Sequence, residues 1–227
     1  MRKPSVQRAL AVFSMLLASA VLSEAQTNQT TMAGFTLRVT PGSQYNVPKT
    51  ILLFIKFPVY PQIACWLETP ESEYVDTIYV TESGAKNNFA FAPRNGRPEA
   101  LPIWYHRKAQ WPATTDAVSG ATSTTAAEHK TRLSTPLKLG RYVAFLEVNR
   151  AYDYNKNYTH ANSGVNGQPS LIYRAEIVVG KGPSKATFAP IGVGSVDGSD
   201  GNIRLGLGGI TTALNIIENA EIEYNEK

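Results

Sequence analysis

An antiparallel all-β sandwich is the fold class that the 227-residue sequence predicts, on three observations. Apolar residues recur at every second position in several short runs. Gly, Pro and Asn punctuate those runs. The mature length suits one sandwich or barrel domain with a sizeable core. The first run is Phe35/Leu37/Val39. Ile51 to Phe57 follows as a short apolar stretch suited to a buried strand. Ile63/Cys65/Leu67 is the next alternating set, and Val75 to Thr81 is rich in the β-branched and aromatic residues that favour sheets. Leu101 to Tyr105 reads as another short buried strand. Tyr142/Ala144/Leu146/Val148 and Leu171/Tyr173/Ala175/Ile177/Val179 complete the core set. In the latter, Arg174 and Glu176 occupy the opposite face, so one face meets the core and the other water.

Turn chemistry supports this order, because Asn95-Gly96, Asn166-Gly167, Asp197-Gly198 and Asp200-Gly201 tolerate positive φ. The segment from Gly180 to Gly209 is rich in Gly and Ser and reads as long loops or a loosely packed hairpin. Ile210, Ala213, Leu214 and Ile217 have helical spacing, with Thr211 or Thr212 placed to cap, so one short helix is expected near the C-terminus. A last strand then runs through Ala220/Ile222/Tyr224. No internal repeat is present.

Residues 1–25 have the three parts of a secretory signal: the basic Arg2, Lys3 and Arg8, an apolar Ala9 to Leu22, and Ser23-Glu24-Ala25 as a small-x-small cleavage site. The mature chain, 26–227, is expected to form a single β-sandwich domain, periplasmic or secreted. Removing the signal takes three of 22 basic and one of 18 acidic residues, leaving a balance of +2. That small, scattered excess excludes the basic stripe a nucleic-acid binder needs. No later stretch is long and apolar enough to span a membrane. Cys65 is the only cysteine, so no disulfide forms within the chain. Its alternation with Ile63 and Leu67 predicts a buried, inert thiol.

The residues with the sharpest chemical reading are Asp116-Ala117-Val118-Ser119-Gly120-Ala121-Thr122. They match the Asp-x-x-Ser/Thr-Gly-Ala-Thr signature of covalently flavinylated extracytoplasmic proteins. The resemblance implies that the Thr122 hydroxyl is esterified to the phosphate of FMN by a flavin transferase. Asp116 would present that hydroxyl, and Ser119, Gly120 and Ala121 would form the uncrowded turn around it. Lying between Pro112 and a strand near Gly140, the motif is expected on an exposed loop. The same residues also suit a plain turn, with Asp116 in an Asx arrangement, Thr122 as a cap and one or two helical turns over Ser123 to His129. Trp104, Tyr105 and Trp111 are nearby in sequence, either as a flavin platform or as one core and two rim aromatics.

A wider resemblance rests on Ala64-Cys65-Trp66-Leu67-Glu68-Thr69 with Tyr74 to Ile78, on Leu101-Pro102-Ile103-Trp104, on the Asp116 motif, and on Leu139 to Tyr142 through Glu147. Together these segments are similar to a bacterial predicted-periplasmic family of unknown function, which has a flagellar hook-capping-like immunoglobulin fold. The match covers residues 34–180 and leaves 181–227 as a loop-rich C-terminal extension. It implies an immunoglobulin-like sandwich with either of two roles. One is an FMN carrier that exchanges electrons with an envelope redox protein and is not a complete enzyme. The other is a non-catalytic binding or assembly module that contacts an envelope protein.

Other chemistries lack their residues. Ser119 is not in a Gly-x-Ser-x-Gly elbow, and His106, His129 and His160 are scattered. Neither a His-x-x-x-His nor a cysteine pair offers zinc a site. Asp197 to Asn202 lacks the alternating ligands and closing glutamate of a calcium loop and reads as a hairpin turn. Tyr152 to Tyr158 with Asn166 to Ser170 is polar and aromatic, suited either to a contact surface or to a solvated inter-strand loop.

Overall fold

The computed structural model describes residues 29–51, 55–89, 96–110, 119–120, 127–133 and 136–226. In chain order the strands begin with β1 (Thr30–Thr31), β2 (Ala33–Pro41), β3 (Lys49–Ile51), β4 (Ile55–Phe57), β5 (Gln62–Glu68) and β6 (Tyr74–Thr81). Next come β7 (Ser119–Gly120), β8 (Ala127–Arg132), β9 (Leu137–Lys138), β10 (Gly140–Asn149) and β11 (Leu171–Val179). The series ends with β12 (Ser184–Thr187), β13 (Ala189–Val193), β14 (Arg204–Leu205) and β15 (Ile217–Glu226). Among the described residues three short α-helices interrupt them: α1 (Glu82–Lys86), α2 (Pro102–Gln110) and α3 (His160–Ser163).

Two sheets form the sandwich, a seven-stranded one in the order β14-β13-β11-β10-β5-β6-β7 and a four-stranded one in the order β12-β15-β2-β8. Within these two sheets every pairing among the described residues is antiparallel except β6 with β7. The alternating residues meet between the sheets. Phe35, Leu37, Val39, Ile222 and Tyr224 from the small sheet pack on Ile63, Cys65, Leu67, Leu146, Tyr173 and Ile177 from the large one. Cys65 is fully enclosed, and burial pushes its thiol far up from the ordinary range, as an inert core thiol requires. The sheets are also tied at one side. Thr131 Oγ1 donates to the Ile78 carbonyl at 2.6 Å, and His129 stacks on Tyr79 with ring centroids 3.8 Å apart.

The large sheet is apolar on its other face too, where Ala64, Trp66, Val80, Phe145 and Ile172 pack against Leu101, Ile103 and Trp104. That third layer is α2, where the sequence reads as a short strand. Pro102 is its first residue, with φ already suited to a helix and no N–H to satisfy. Leu101 and Trp104, three apart, then fall on one side. At the other end, the short helix expected over Ile210 to Asn219 is a single 3-10 turn, Thr212–Asn215. Tertiary partners override the spacing there. The carbonyls of Asn215 and Ile216 accept from Gln44 N–H and Gly42 N–H, and from Ile217 onward the chain is committed to β15 against β2.

Three further expectations change in detail. Ile51 to Phe57 is not one buried strand, since β3 and β4 pair with each other and Phe57 is exposed. His129 belongs to β8 rather than to a helical turn. Between Gly180 and Gly209 the chain places β12 in the small sheet and β13 with β14 in the large one. Phe188 joins β12 to β13, and its N–H still donates to Ala220 O at 3.0 Å.

Candidate functional site

The Asp116 motif meets the described structure at Ser119 and Gly120. As β7 these two residues pair in parallel with Val80 and Thr81, at the edge of the large sheet. The expected exposed loop is therefore, at these positions, a strand edge. Backbone donors and acceptors left unpaired at the end of β6 account for it. Asp116, Ala121, Thr122 and Trp111 lie outside the described residues. Trp104 is buried: its Nε1 donates to Thr77 Oγ1 at 2.9 Å and Lys108 Nζ lies 4.9 Å from its ring. It is a core tryptophan, and Tyr105 an exposed rim residue.

Beyond Thr81 the chain opens onto a cleft. Thr81 Oγ1 donates to Gln62 Oε1 at 2.7 Å and accepts from Ile63 N–H at 3.3 Å, which locks the ends of β5 and β6 together. Glu82 then starts α1, whose C-terminus closes at Asn87 in the left-handed region with φ 47°. The cleft has a volume of about 480 Å³, and Phe57, Tyr60, Gln62, Phe89, Arg97 and Tyr152 are among its walls. A neighbouring hollow of about 300 Å³ shares Phe57 and Tyr152 with it and adds Lys49 and Tyr154. Burial, followed by nearby Arg150, lowers the Lys49 ammonium from its ordinary value.

Polar side chains brace the cleft from below. Arg97 Nε pairs with Glu99 Oε1 at 3.0 Å, its Nη2 donates to Asn166 Oδ1, and its guanidinium carbon lies 5.3 Å from the Phe89 ring centre. Asn149 and Asn166 both donate to the Glu99 carbonyl. Deeper in, Arg150 Nη2 pairs with Asp153 Oδ1 at 3.0 Å, and Thr212 Oγ1 donates to the same oxygen at 2.6 Å. Gln168 Oε1 accepts from Thr211 N–H at 2.7 Å. The polar loop that reads as a contact surface or a solvated connection thus turns Asp153, Asn166, Gln168 and Ser170 inward, all of them buried. Its aromatic residues Tyr152 and Tyr154 stay at the cleft and the hollow.

Gly167 shows how tightly this brace is built. It has φ 78°, and a Cβ there would stand 2.5 Å from the Asp153 carbonyl carbon and oxygen. Gly167→Ala is expected to lower stability by at least about 1–3 kcal/mol, through left-handed strain plus the displaced backbone. Urea unfolding of the variant against the parent measures it.

A second polar centre lies under α2 and has no counterpart among the candidates read from sequence. Glu147, fully buried on β10, accepts from Ile103 N–H at 3.2 Å, Trp104 N–H at 2.8 Å and Ser170 Oγ at 2.6 Å. Burial raises its carboxyl to about 7, against the lowering effect of those donors. It serves the N–H groups that the first turn of a helix leaves free. Glu68 holds the other end of α2, lying 3.6 Å from Arg107 Nε and accepting from Trp66 Nε1 at 2.8 Å. The available signal was an acid set between Leu146 and Val148 in an otherwise apolar run.

Asp197 and Asp200 spend their carboxylates on their own turn. Asp197 Oδ1 accepts from Ser195 Oγ at 2.6 Å and Ser199 N–H at 3.0 Å, while Asp200 pairs with Arg204 at 2.8 Å. These bonds hold Asp197 far below the usual carboxylate range. The turn joins β13 to β14. Among the described residues no three His, Cys, Asp or Glu side chains group as metal ligands, and no helix is long and apolar enough to cross a membrane. Compared with protein-family models, curated proteins and solved structures, the chain matches none.

Proposed function

We propose that this protein is exported, carries FMN covalently on Thr122 and passes electrons outside the cytoplasm. The observation that carries the reading is the unbroken Asp116 to Thr122 signature. The flavin supplies the redox chemistry, while the chain supplies tether, position and surroundings. Its partners are a flavin transferase and an envelope redox protein, and the sandwich is of the immunoglobulin-like type. Intact mass of the mature protein, co-produced with a flavin transferase, tests the assignment. The expected result is an increment of FMN less one water, absent from Thr122→Val. An unmodified parent protein rejects the assignment.

One observation favours a second reading. Ser119 and Gly120 already have a structural role as an edge strand on β6, a role that needs no cofactor. In that reading the protein is a non-catalytic module that binds or assembles with another envelope protein. Colour separates the two: a yellow, fluorescent band in a denaturing gel belongs to the carrier and a colourless one to the module.

A further inference from the structure

We propose that the cleft lined by Phe57, Tyr60, Phe89 and Tyr152 is the seat of the isoalloxazine ring, so that the tethered flavin is docked on the sandwich. The inference rests on the assignment of FMN to Thr122 and adds to it the place where the ring binds.

Gly120 pairs with Thr81, the last residue of β6, and the residue after it, Glu82 at the start of α1, borders the cleft. Thr81 is also bonded through its hydroxyl to Gln62 in the cleft wall. Because β7 runs parallel to β6, the chain at Gly120 is heading toward this end of the sheet. Thr122 follows two residues later, a span of at most ~7 Å.

A volume of about 480 Å³ is that of a small-molecule site, commonly apolar and aromatic with a few oriented polar groups. Tyr152 is held in the left-handed region at φ 61°, an uncommon place for a bulky residue with a Cβ. Such strain persists only where surrounding contacts impose it. Here they are the Tyr152 N–H to Val165 O bond at 2.7 Å, the Asp153 N–H to Asn166 O bond at 3.0 Å, and the buried Arg150–Asp153 pair. The outcome is a tyrosine ring fixed at the cleft, edge-on to Phe57 with centroids 6.5 Å apart and planes at 75°.

The tricyclic ring of a flavin offers flat π faces to aromatic side chains and, along its pyrimidine edge, carbonyl and imide groups. Arg97, oriented by Glu99 and Asn166, and the amide of Gln62 lie in the same wall. A guanidinium and an amide supply donors to those carbonyls.

The test uses the full mature chain carrying FMN, with attachment verified by intact mass. In the parent protein the flavin is expected to show induced circular dichroism in its visible band and quenched emission. Denaturation should abolish both. Tyr152→Gly removes the ring while keeping a backbone at home in the left-handed region. It should raise flavin emission several-fold and erase the visible dichroism at unchanged mass, whereas Leu205→Ala on β14 should alter neither. A flavin that is attached yet as bright and optically inactive as free FMN, or that is indifferent to Tyr152→Gly, overturns the seat and leaves the attachment standing. A parent protein without the mass increment overturns both.

Discussion

Asp153→Ala should lower the stability of the fold by about 3–5 kcal/mol, because it strands a buried charge. Arg150 is 1% exposed, and its guanidinium is held by the Gln44 carbonyl at 2.5 Å and by Asp153 at 3.0 Å. Its Nε and Asp153 Oδ2 have no hydrogen-bond partner among the described residues, so the pair is already imperfectly compensated. Removing the carboxylate leaves a desolvated cation with one carbonyl for company. For a domain of this size the loss corresponds to a fall in Tm on the order of 10 °C. The double replacement Arg150→Met with Asp153→Leu should cost much less, since two apolar groups leave no charge behind. Thermal unfolding of the parent and the two variants checks this, and equal losses for the single and double changes would refute the account. Asp153→Ala should also release Tyr152, whose left-handed backbone depends on the same turn.

Stability should fall as pH rises from 4.5 to 7, and Glu147→Gln should flatten that slope. The Glu147 carboxyl titrates at about 7 in the fold against 4.5 when free. Between those values the unfolded chain has released a proton that the folded one keeps, so raising the pH favours unfolding. The stabilisation is complete below the free value and gone once pH passes the folded one. For this fully buried group it amounts to about 3 kcal/mol. Glu68 and Asp76 are shifted the same way by burial, and His129, lowered by burial, contributes the opposite slope, which is why the difference between parent and variant isolates Glu147. Glutamine imitates the protonated side chain and keeps an acceptor for Trp104 N–H. Urea unfolding at pH 5 and pH 8 provides the measurement. Parallel pH profiles for the two proteins would sink the assignment.

The sheets were legible in the sequence where burial is one-sided. Phe35/Leu37/Val39 and Leu171 to Val179 alternate because one face meets the core, and the structure places them so. Leu101 to Tyr105 was not, because five residues of mixed apolar character suit a strand or a helix equally. The deciding groups, Glu147 and Ser170, are remote in sequence. The same holds for the cleft. Its walls come from β4, the start of β5, α1 and the turns around Arg97 and Tyr152, and no local spacing announces such a meeting. The polar loop misled for a related reason. Asp153, Asn166 and Gln168 look solvent-facing by type, yet each finds partners inside. The Asp116 to Thr122 motif, by contrast, is a statement of sequence, which the structure meets only through the pairing of Ser119 and Gly120 with β6.

Because β2 pairs with β15, strands far apart in the chain, the small sheet is expected to be completed late in folding. Phe35 lies opposite Tyr224, and Leu37 opposite Ile222, so the middle of the small sheet is built from segments at the two ends of the described chain. Large-sheet neighbours such as β10 and β11 are close enough in sequence to meet early, whereas β2 has its inner partner only when β15 is available. Closing so long a loop is a slow step for a β protein. Until then the apolar face of the large sheet has no cover, with no disulfide to hold the partly assembled chain together. A truncation within β15 should accordingly leave a species that binds hydrophobic dyes and aggregates, rather than a trimmed native protein.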